Sequence, residues 1–199
     1  MDAKEKFTQI YKNNEWADGE SRSGGGSTVK RTADLRKWLL QMIEKYDIRS
    51  MLDCPCGDFN WMKEMVLPRN FIYIGADMVD EMVKNNQIKY GRSLRNFLIR
   101  DLTIDPLPRM DLILCKDLFL HLSFEDIWKV IINFKDSGAR YFIVSNSYAC
   151  KKNGDQKTGG TYRNINLQKE PFNFPNYLEV TDTKDTPMTL FKMDVIPVI

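Results

Sequence analysis

Three aspartates follow apolar runs of the sequence, and their placement suits the binding of a polar ligand. Asp53 follows S-M-L, Asp77 follows F-I-Y-I-G-A, and Asp101 follows R-N-F-L-I-R. If these runs are parallel β-strands, the three carboxylates lie at the carboxyl edge of one sheet, where open α/β folds bind ligands. Ionised carboxylates accept hydrogen bonds there from hydroxyl and amine groups. The pattern therefore indicates a site for a ligand that is rich in such donors.

The turn after the first of these runs reads C-P-C-G-D-F-N-W and contains one glycine. It predicts a tight strand-to-helix turn at Pro55 and Gly57, followed by an amphipathic helix that starts near Asp58. A dinucleotide-binding turn has three glycines, so that a pyrophosphate can approach the backbone. Here Cys54 and its neighbours would crowd that group. The turn favours an adenosyl ligand without a pyrophosphate, and S-adenosylmethionine is the obvious candidate.

The spacing of the three acids gives each a different role. Asp77 lies about 20 residues beyond the glycine turn, the distance at which an acid meets ribose hydroxyls. Asp101 is placed to accept from an adenine amine, with Met78 and Leu102 against the ring. Asp53 can reach the amino end of a methionine moiety. A single aspartate after a strand is often only a cap or turn former. The set of three favours a cofactor site.

Apolar periodicity predicts alternating strands and helices, typical of an α/β fold with a doubly wound, mostly parallel sheet. The predicted strands span residues 50–53, 71–76, 95–101, 111–115, 141–145, 178–182 and 189–193. The predicted helices span residues 7–11, 32–46, 60–65, 79–86 and 124–134. The segment from residue 166 to 175, N-L-Q-K-E-P-F-N-F-P, predicts an irregular proline-bounded piece.

Composition limits the function classes. A chain of 199 residues with 43% hydrophobic and 28% charged residues suits one globular domain, and we expect residues 1–199 to form it. It has neither a long apolar run nor a signal-peptide core, so we expect a cytoplasmic location and no membrane contact. A net charge of +2 makes nucleic acid an unlikely partner unless a local basic patch forms.

The four cysteines and the single histidine do not suit a metal site. One residue separates Cys54 from Cys56, whereas zinc sites use wider spacings and a second pair of ligands. We therefore predict reduced thiols and no bound metal.

Further candidates follow the fourth predicted strand and lie in a later loop. Asp117 and His121 are candidate catalytic bases, although a structural aspartate and a packed or capping histidine are equally compatible with the sequence. Lys116 suits an ion pair, a ligand contact or a solvated position. In the loop K-K-N-G-D-Q-K-T-G-G-T-Y-R, Tyr162 and Arg163 are the candidate substrate contacts.

Four motifs resemble one family, the class I S-adenosylmethionine-dependent methyltransferases. The motifs are the N-terminal W…ES-SG-GS stretch, L-D-C-P-C-G-D-F-N-W-M, L-P-R-M-D-L-I-L-C-K-D-L-F-L-H-L-S, and N-L-Q-K-E-P-F-N-F-P. They are most similar to a subgroup found in bacteria, phage and large viruses. One departure is Lys116, where that subgroup prefers arginine, so the charge is kept but planar bidentate bonding is lost.

The resemblance implies a Rossmann-like, seven-stranded sheet with an antiparallel last strand. It also implies cofactor contacts from residues 53–58, Asp77 and Asp101, with Trp61 either in the core or beneath the methionine chain. The Gly/Ser-rich stretch, which composition alone leaves open as linker or lid, becomes a lid segment within residues 1–30. The predicted cofactor contacts there are Trp16 and Ser27, and the predicted substrate contacts are Ser21 and Ser23.

The sequence thus predicts a methyltransferase that acts on a hydroxyl or amine of a small-molecule or glycan acceptor. Three alternatives stay open: a nicotinamide-dependent reductase, disfavoured by the missing glycines; a non-catalytic cofactor-binding module on the same fold; and an RNA or nucleotide methyltransferase. For the last, the basic residues between Lys84 and Arg100 are more simply a solvated face.

Overall fold

The computed structural model describes residues 2–159, 161–181 and 186–198. The strands are β1 (Ser50–Asp53), β2 (Ile72–Asp77), β3 (Arg95–Ile99), β4 (Leu112–Cys115), β5 (Tyr141–Ser145), β6 (Glu179–Val180) and β7 (Met188–Lys192). The α-helices are α1 (Ala3–Asn13), α2 (Ala33–Lys45), α3 (Asp80–Tyr90) and α4 (Phe124–Asp136). Asp182, the predicted end of the sixth strand, lies outside the described residues. Within the described ranges, no helix is both long and apolar enough to cross a membrane.

The strands form a seven-stranded sheet in the order β3-β2-β1-β4-β5-β7-β6. The pairs β1–β2, β2–β3 and β4–β5 are parallel. The last strand, β7, is antiparallel to both of its neighbours. This confirms the predicted α/β fold with a mostly parallel sheet and an antiparallel last strand. The chain divides into two compact units, Met1–Asp101 and Leu102–Ile199.

In the first unit, β2 lies between β1 and β3, and both of its edges are paired. Asp53 is in register with Gly75, so β2 continues two residues further before it ends at Asp77. An aromatic cluster packs beside these strands: the Phe59 ring centre lies 5.3 Å from that of Tyr73 and 5.1 Å from that of Phe97. The sheet and this cluster fix the carboxyl ends of β1 and β2.

The prediction of an amphipathic α-helix after β1 is wrong. Residues 54–61 form turns, and a single 3-10 turn, Met62–Glu64, follows them. Phe59 has a φ of 61°, which an α-helix excludes. In addition, the Asn60 N–H donates to the Asp58 carboxylate at 3.2 Å, a local bond that competes with helical hydrogen bonding. The apolar residues of this stretch are buried in a turn.

In the second unit, helix α4 begins after Ser123, whose Oγ accepts a hydrogen bond from the Asp126 N–H at 3.1 Å. One face of the helix is buried through Ile127, Trp128, Val130, Ile131 and Phe134. The predicted irregular segment contributes to the same core, because the Phe172 ring centre lies 5.2 Å from that of Phe124. The apolar residues of this proline-bounded segment, such as Phe172, therefore pack in the core of the second unit.

Candidate functional site

Asp53, at the end of β1, is buried and oriented by a residue of the neighbouring strand. The hydroxyl of Tyr73 donates a hydrogen bond to Asp53 Oδ2 at 2.6 Å. Burial, and then the Asp53 charge, raises the pKa of the Tyr73 hydroxyl well above its ordinary value. The phenol therefore keeps its proton and stays a donor to the carboxylate.

Asp77 ties the end of β2 to the turn after β1. Its Oδ2 accepts from the Gly57 N–H at 3.1 Å, and its Oδ1 accepts from the Val79 N–H at 3.2 Å. Burial raises the pKa of the Asp77 carboxyl to about 6, against the opposing effect of backbone hydrogen bonds from Val79, Gly57 and Met78. A buried acid with a perturbed pKa at the carboxyl edge of a sheet is typical of a functional site.

The backbone of the turn is held from two more directions. The Cys56 N–H donates to the Ala76 carbonyl at 2.9 Å, and Asn86 Nδ2 of α3 donates to the Gly57 carbonyl at 2.8 Å. Gly57 has a φ of 55°, and a Cβ at this position would lie 2.3 Å from Ser23 Oγ. The group that lies close to this glycine is therefore the Ser23 side chain of the same protein.

The cysteines of the turn are packing groups in this fold. Cys54 and Cys56 are buried free thiols, and Pro55 between them is half-buried. Burial, followed by the charges of Asp77 and Asp53, raises the pKa of the Cys56 thiol well above its ordinary value. In the described part of the chain, no group of three or more His, Cys, Asp or Glu side chains is placed to hold a metal ion.

The carboxylate of Asp58 is held by the N-terminal segment, which we define as residues 14–32. Ser21 Oγ donates to Asp58 Oδ1 at 3.0 Å and to Oδ2 at 2.9 Å. The Arg22 N–H donates to Oδ2 at 2.7 Å, and Ser23 Oγ donates to Oδ1 at 3.3 Å. In return, the Asp58 N–H donates to Ser23 Oγ at 2.9 Å. Three residues predicted to contact ligands thus contact one another.

A second set of contacts fastens the same segment. Asn60 Nδ2 donates to Glu20 Oε1 at 2.7 Å and to the Ser27 carbonyl at 3.1 Å. Trp16 is partly exposed, and a Cβ at Gly24 would lie 3.2 Å from the Trp16 Cβ. These contacts describe a folded element that rests on the turn after β1.

In the second unit, Asp117 follows β4 in a left-handed conformation, with a φ of 57°. Its carboxylate pairs with the Lys116 ammonium and accepts from Ser145 Oγ at 2.8 Å. Burial acts to raise the pKa of Asp117, but the Lys116 charge, hydrogen bonds from Lys116 and Ser145, and the His121 charge outweigh it, so the pKa is lowered. Asp117 is an ionised acceptor at neutral pH and a weak base.

His121 ends the 3-10 turn Phe119–His121 and is half-buried. Its backbone carbonyl accepts a hydrogen bond from the Gly159 N–H at 2.8 Å. A second bond between these segments joins Gln156 Nε2 to the Leu120 carbonyl at 2.9 Å. The later loop is thereby held on the turn that carries His121.

Tyr162 and Arg163 line a small pocket of the second unit, together with Phe119, Leu120, Ser145, Ser147, Asn164, Ile165 and Thr186. The Tyr162 side chain is exposed, and its hydroxyl donates to Asn164 Oδ1 at 3.1 Å. Arg163 is half-buried; it donates to the Leu122 carbonyl, and its guanidinium carbon lies 5.3 Å from the Phe124 ring centre. The pocket lining thus combines hydroxyl groups with the guanidinium of Arg163.

The other predicted contacts differ in burial. Trp61 and Leu102 are each 6% exposed, so both side chains lie in the cores of their units. Met78 and Asp101 are half-buried residues of the first unit. The roles predicted for these four residues stay predictions.

Four polar residues that the sequence analysis missed hold the candidate groups in place: Tyr73, Asn60, Asn86 and Ser145. Ser145 had a usable signal, because it ends a predicted strand just as the three aspartates do. Tyr73 lies inside an apolar run, where a hydroxyl that needs a partner is a weaker signal. Nothing local marks Asn60 or Asn86, since each acts on a residue that lies far away in sequence or in another element.

No protein-family model and no curated protein matches the chain. Solved structures are similar to it in fold. Human N-acetylserotonin methyltransferase, in complex with SAM, matches with a TM-score of 0.64 and 14% identity over 96% of this chain. The match covers 59% of that protein, so the chain spans about three fifths of its length.

Two bacterial proteins match over most of both chains. The N-methyltransferase NodS from Bradyrhizobium japonicum WM9, in complex with S-adenosyl-l-homocysteine, has a TM-score of 0.61 at 11% identity, over 92% of this chain and 98% of its own. Magnesium protoporphyrin IX methyltransferase from Synechocystis PCC 6803, with bound SAM, has a TM-score of 0.56 at 15% identity, over 96% of each chain. At these identities the similarity shows a shared fold, and it agrees with the predicted class I methyltransferase fold.

Proposed function

We propose that the protein is an S-adenosylmethionine-dependent methyltransferase whose acceptor is a hydroxyl or amine of a small molecule or glycan. The observation that carries this proposal is the buried Asp77 carboxylate at the end of β2, bonded to the Gly57 N–H of the turn after β1. On this fold, an acid at that position is suited to bind the ribose of an adenosyl ligand. Residues 1–199 then form one catalytic domain whose lid lies within residues 1–30.

The donor set of the first unit fits S-adenosylmethionine. A carboxylate has about four lone-pair positions, and the backbone donors to Asp77 are the N–H groups of Gly57, Val79 and Met78. Asp77 therefore retains acceptor capacity for a ribose hydroxyl. Asp53 supplies a buried negative charge, which suits the ammonium of a methionine moiety. When bound, S-adenosylmethionine would supply an electrophilic methyl group on a positively charged sulfur.

The second unit supplies the groups that we assign to the acceptor. Methyl transfer from a sulfonium needs alignment and exclusion of water more than acid or base strength. Asp117, held ionised beside Lys116 and Ser145, is suited to accept a hydrogen bond from an acceptor hydroxyl or amine. The lowered pKa of Asp117 makes it a poor general base, so we assign that role to His121 when the acceptor is a hydroxyl.

We assign Tyr162 and Arg163 to acceptor recognition, because both line the same pocket as Ser145. Ser21 and Ser23 are assigned differently from the sequence-based expectation. Their hydroxyls are bonded to Asp58, which supports an indirect role in place of direct substrate contact.

Calorimetry with S-adenosylmethionine, followed by a tritiated-methyl transfer screen, tests the proposal. The screen covers sugars, nucleotide sugars, small amines and RNA. We expect donor binding, and transfer to at least one sugar or amine. A protein that fails to bind the donor contradicts the proposal. Binding without transfer to any class would indicate a cofactor-binding module, and transfer confined to RNA would replace the proposed acceptor.

A further inference from the structure

The residue Asp58 has an arrangement that a cofactor contact does not explain. Both of its carboxylate oxygens are engaged by Ser21 Oγ, at 3.0 and 2.9 Å, and the Arg22 N–H lies 2.7 Å from Oδ2. These donors lie more than 30 residues away in sequence, so the bonds close a long loop. Hydrogen bonds to a carboxylate are about twice as strong as neutral ones. The carboxylate is thus a strong fastening point for a distant segment.

The bonding runs in both directions at Ser23. Its Oγ accepts from the Asp58 N–H at 2.9 Å and donates to the Asp58 carboxylate at 3.3 Å. The same Oγ fills the space that a Cβ at Gly57 would need. One hydroxyl therefore contacts the side chain of Asp58, its backbone, and the space beside the preceding glycine.

Asn60, two residues after Asp58, also binds the N-terminal segment. Asn60 joins Glu20 and the Ser27 carbonyl, while Glu20 also accepts from the Val29 N–H at 2.7 Å. Inside the segment, Asp18 accepts from the N–H groups of Glu20 and Ser21 at 2.8 and 2.9 Å. The pKa of the Asp18 carboxyl is lowered by these backbone bonds. The segment is internally braced and meets the turn after β1 at residues 57–60. It also bonds to the end of α1, where Arg22 Nη1 donates to the Tyr11 and Lys12 carbonyls, and to α2, where Arg36 Nη2 donates to the Val29 carbonyl.

This contact surface adjoins the residue that carries the proposed function. Gly57 bonds to Asp77 through its N–H, and the Asp58 N–H beside it bonds to Ser23. The peptide groups of one turn are thus held by the β2 acid on one side and by the N-terminal segment on the other. Loss of the second constraint removes one of the contacts that fix the turn, while its bonds to Asp77, Ala76 and Asn86 remain.

We propose that Asp58 is a positioning residue that fastens the N-terminal segment to the turn after β1, and that this fastening sets the affinity for S-adenosylmethionine. The first part stands on the hydrogen bonds alone, and the second rests on the proposed function. The predicted direct contacts of Asp58, Ser21 and Ser23 with ligands are thereby replaced by contacts among themselves. The segment acts through the turn.

Limited proteolysis tests the fastening without any ligand. Arg22, Lys30 and Arg31 are exposed residues of the segment that trypsin recognises. At low trypsin concentration, the cleavage rate after Arg22 follows the population of the opened segment. We expect Asp58→Asn to raise this rate about tenfold, because the amide replaces one of the two acceptor oxygens with a donor and cannot accept from both the Arg22 N–H and the Asn60 N–H. Ser23→Ala, which only removes the hydroxyl oxygen, should raise the cleavage rate by a smaller factor. This second variant keeps the test valid if Asp58→Asn fails to fold.

Two matched controls isolate the effect. Asp47→Asn makes the same chemical change at an exposed carboxylate of the same unit, and Ser93→Ala removes an exposed hydroxyl. Both should cleave as the wild type does. Calorimetry then measures whether the fastening affects donor binding, and the Kd for S-adenosylmethionine should rise about tenfold in Asp58→Asn. In the methyl-transfer assay, kcat at saturating donor should stay within about twofold of wild type. That split between affinity and kcat separates positioning from a general loss of structure.

The outcomes are distinguishable. Unchanged cleavage after Arg22 in both Asp58→Asn and Ser23→Ala overturns the fastening. Faster cleavage with an unchanged Kd overturns its link to donor affinity. Wild-type protein that binds no S-adenosylmethionine overturns the proposed function and the link, while the cleavage comparison still decides the fastening.

Discussion

Asp77 contributes two opposed effects, because its carboxylate organises the turn after β1 while its burial raises the pKa to about 6. Asp77→Ala removes the acceptor that we assign to the ribose, and hydrogen bonds to charged groups contribute about 1.5 to 3 kcal/mol each. We therefore expect the Kd for S-adenosylmethionine to rise by about 10- to 100-fold, as measured by calorimetry. The control is Asp34→Ala, an exposed carboxylate on α2. Retained affinity in Asp77→Ala would contradict the ribose assignment.

The hydroxyl of Tyr73 holds the Asp53 carboxylate, and removing that hydroxyl tests this role. Tyr73→Phe leaves the ring in place and removes the hydroxyl that donates to Asp53 Oδ2. A buried carboxylate that loses a donor costs about 1 to 3 kcal/mol, so the free energy of unfolding in urea should fall by that amount. Tyr90→Phe is the matched control, since the Tyr90 ring also packs on Phe59, at 5.1 Å. Equal losses in the two variants would argue against the Asp53 bond.

The turn after β1 depends on Gly57 for both its conformation and its packing. Gly57→Ala places a Cβ in a left-handed conformation, which costs about 1 to 2 kcal/mol, and directs it against Ser23 Oγ. We expect faster tryptic cleavage after Arg22 together with a lower free energy of unfolding. Gly19→Ala is the control, because a Cβ there meets nothing within 4 Å. Wild-type cleavage after Arg22 in Gly57→Ala would show that the N-terminal segment docks without this glycine.

Several elements are predictable from the sequence because burial leaves a readable pattern. The bounds of β1 and β5 follow directly, since a strand that is buried on both faces is a continuous apolar run with polar ends. The helix predicted after β1 fails for a specific reason. Its apolar spacing records burial, but Phe59 has a positive φ and Asp58 bonds locally to the Asn60 N–H.

The candidate site divides in the same way. Acids at strand ends are visible in the sequence because periodicity marks where each run stops. The partners of Asp58 are not visible, because Ser21 and Ser23 precede it by 37 and 35 residues and no local rule joins them. The fold supplies those contacts. Composition alone leaves the Gly/Ser-rich stretch open as a linker or a lid, whereas the structure shows a braced segment.

For the molecule as a whole, the raised pKa of Asp77 links the proposed donor site to stability. The native state holds the Asp77 proton up to a pH of about 6, whereas an unfolded aspartate releases it near 3.8. Between these values the native state binds more protons than the unfolded state, so rising pH lowers stability. A gap of about two pKa units corresponds to roughly 3 kcal/mol at most. Such a cost is common where activity requires a buried charge.

Asp77→Asn removes this titration and tests the link directly. Between pH 4 and pH 7, the free energy of unfolding of the wild type should fall relative to that of the variant by up to roughly 3 kcal/mol, because at the higher pH only the wild type must bury an ionised carboxylate at position 77 on folding. Urea denaturation at half-unit pH steps measures both curves, and other groups cancel in their difference. Asp47→Asn, at an exposed carboxylate, should give a curve parallel to that of the wild type. If the Asp77→Asn curve is also parallel, the native state does not hold the Asp77 carboxyl at a raised pKa.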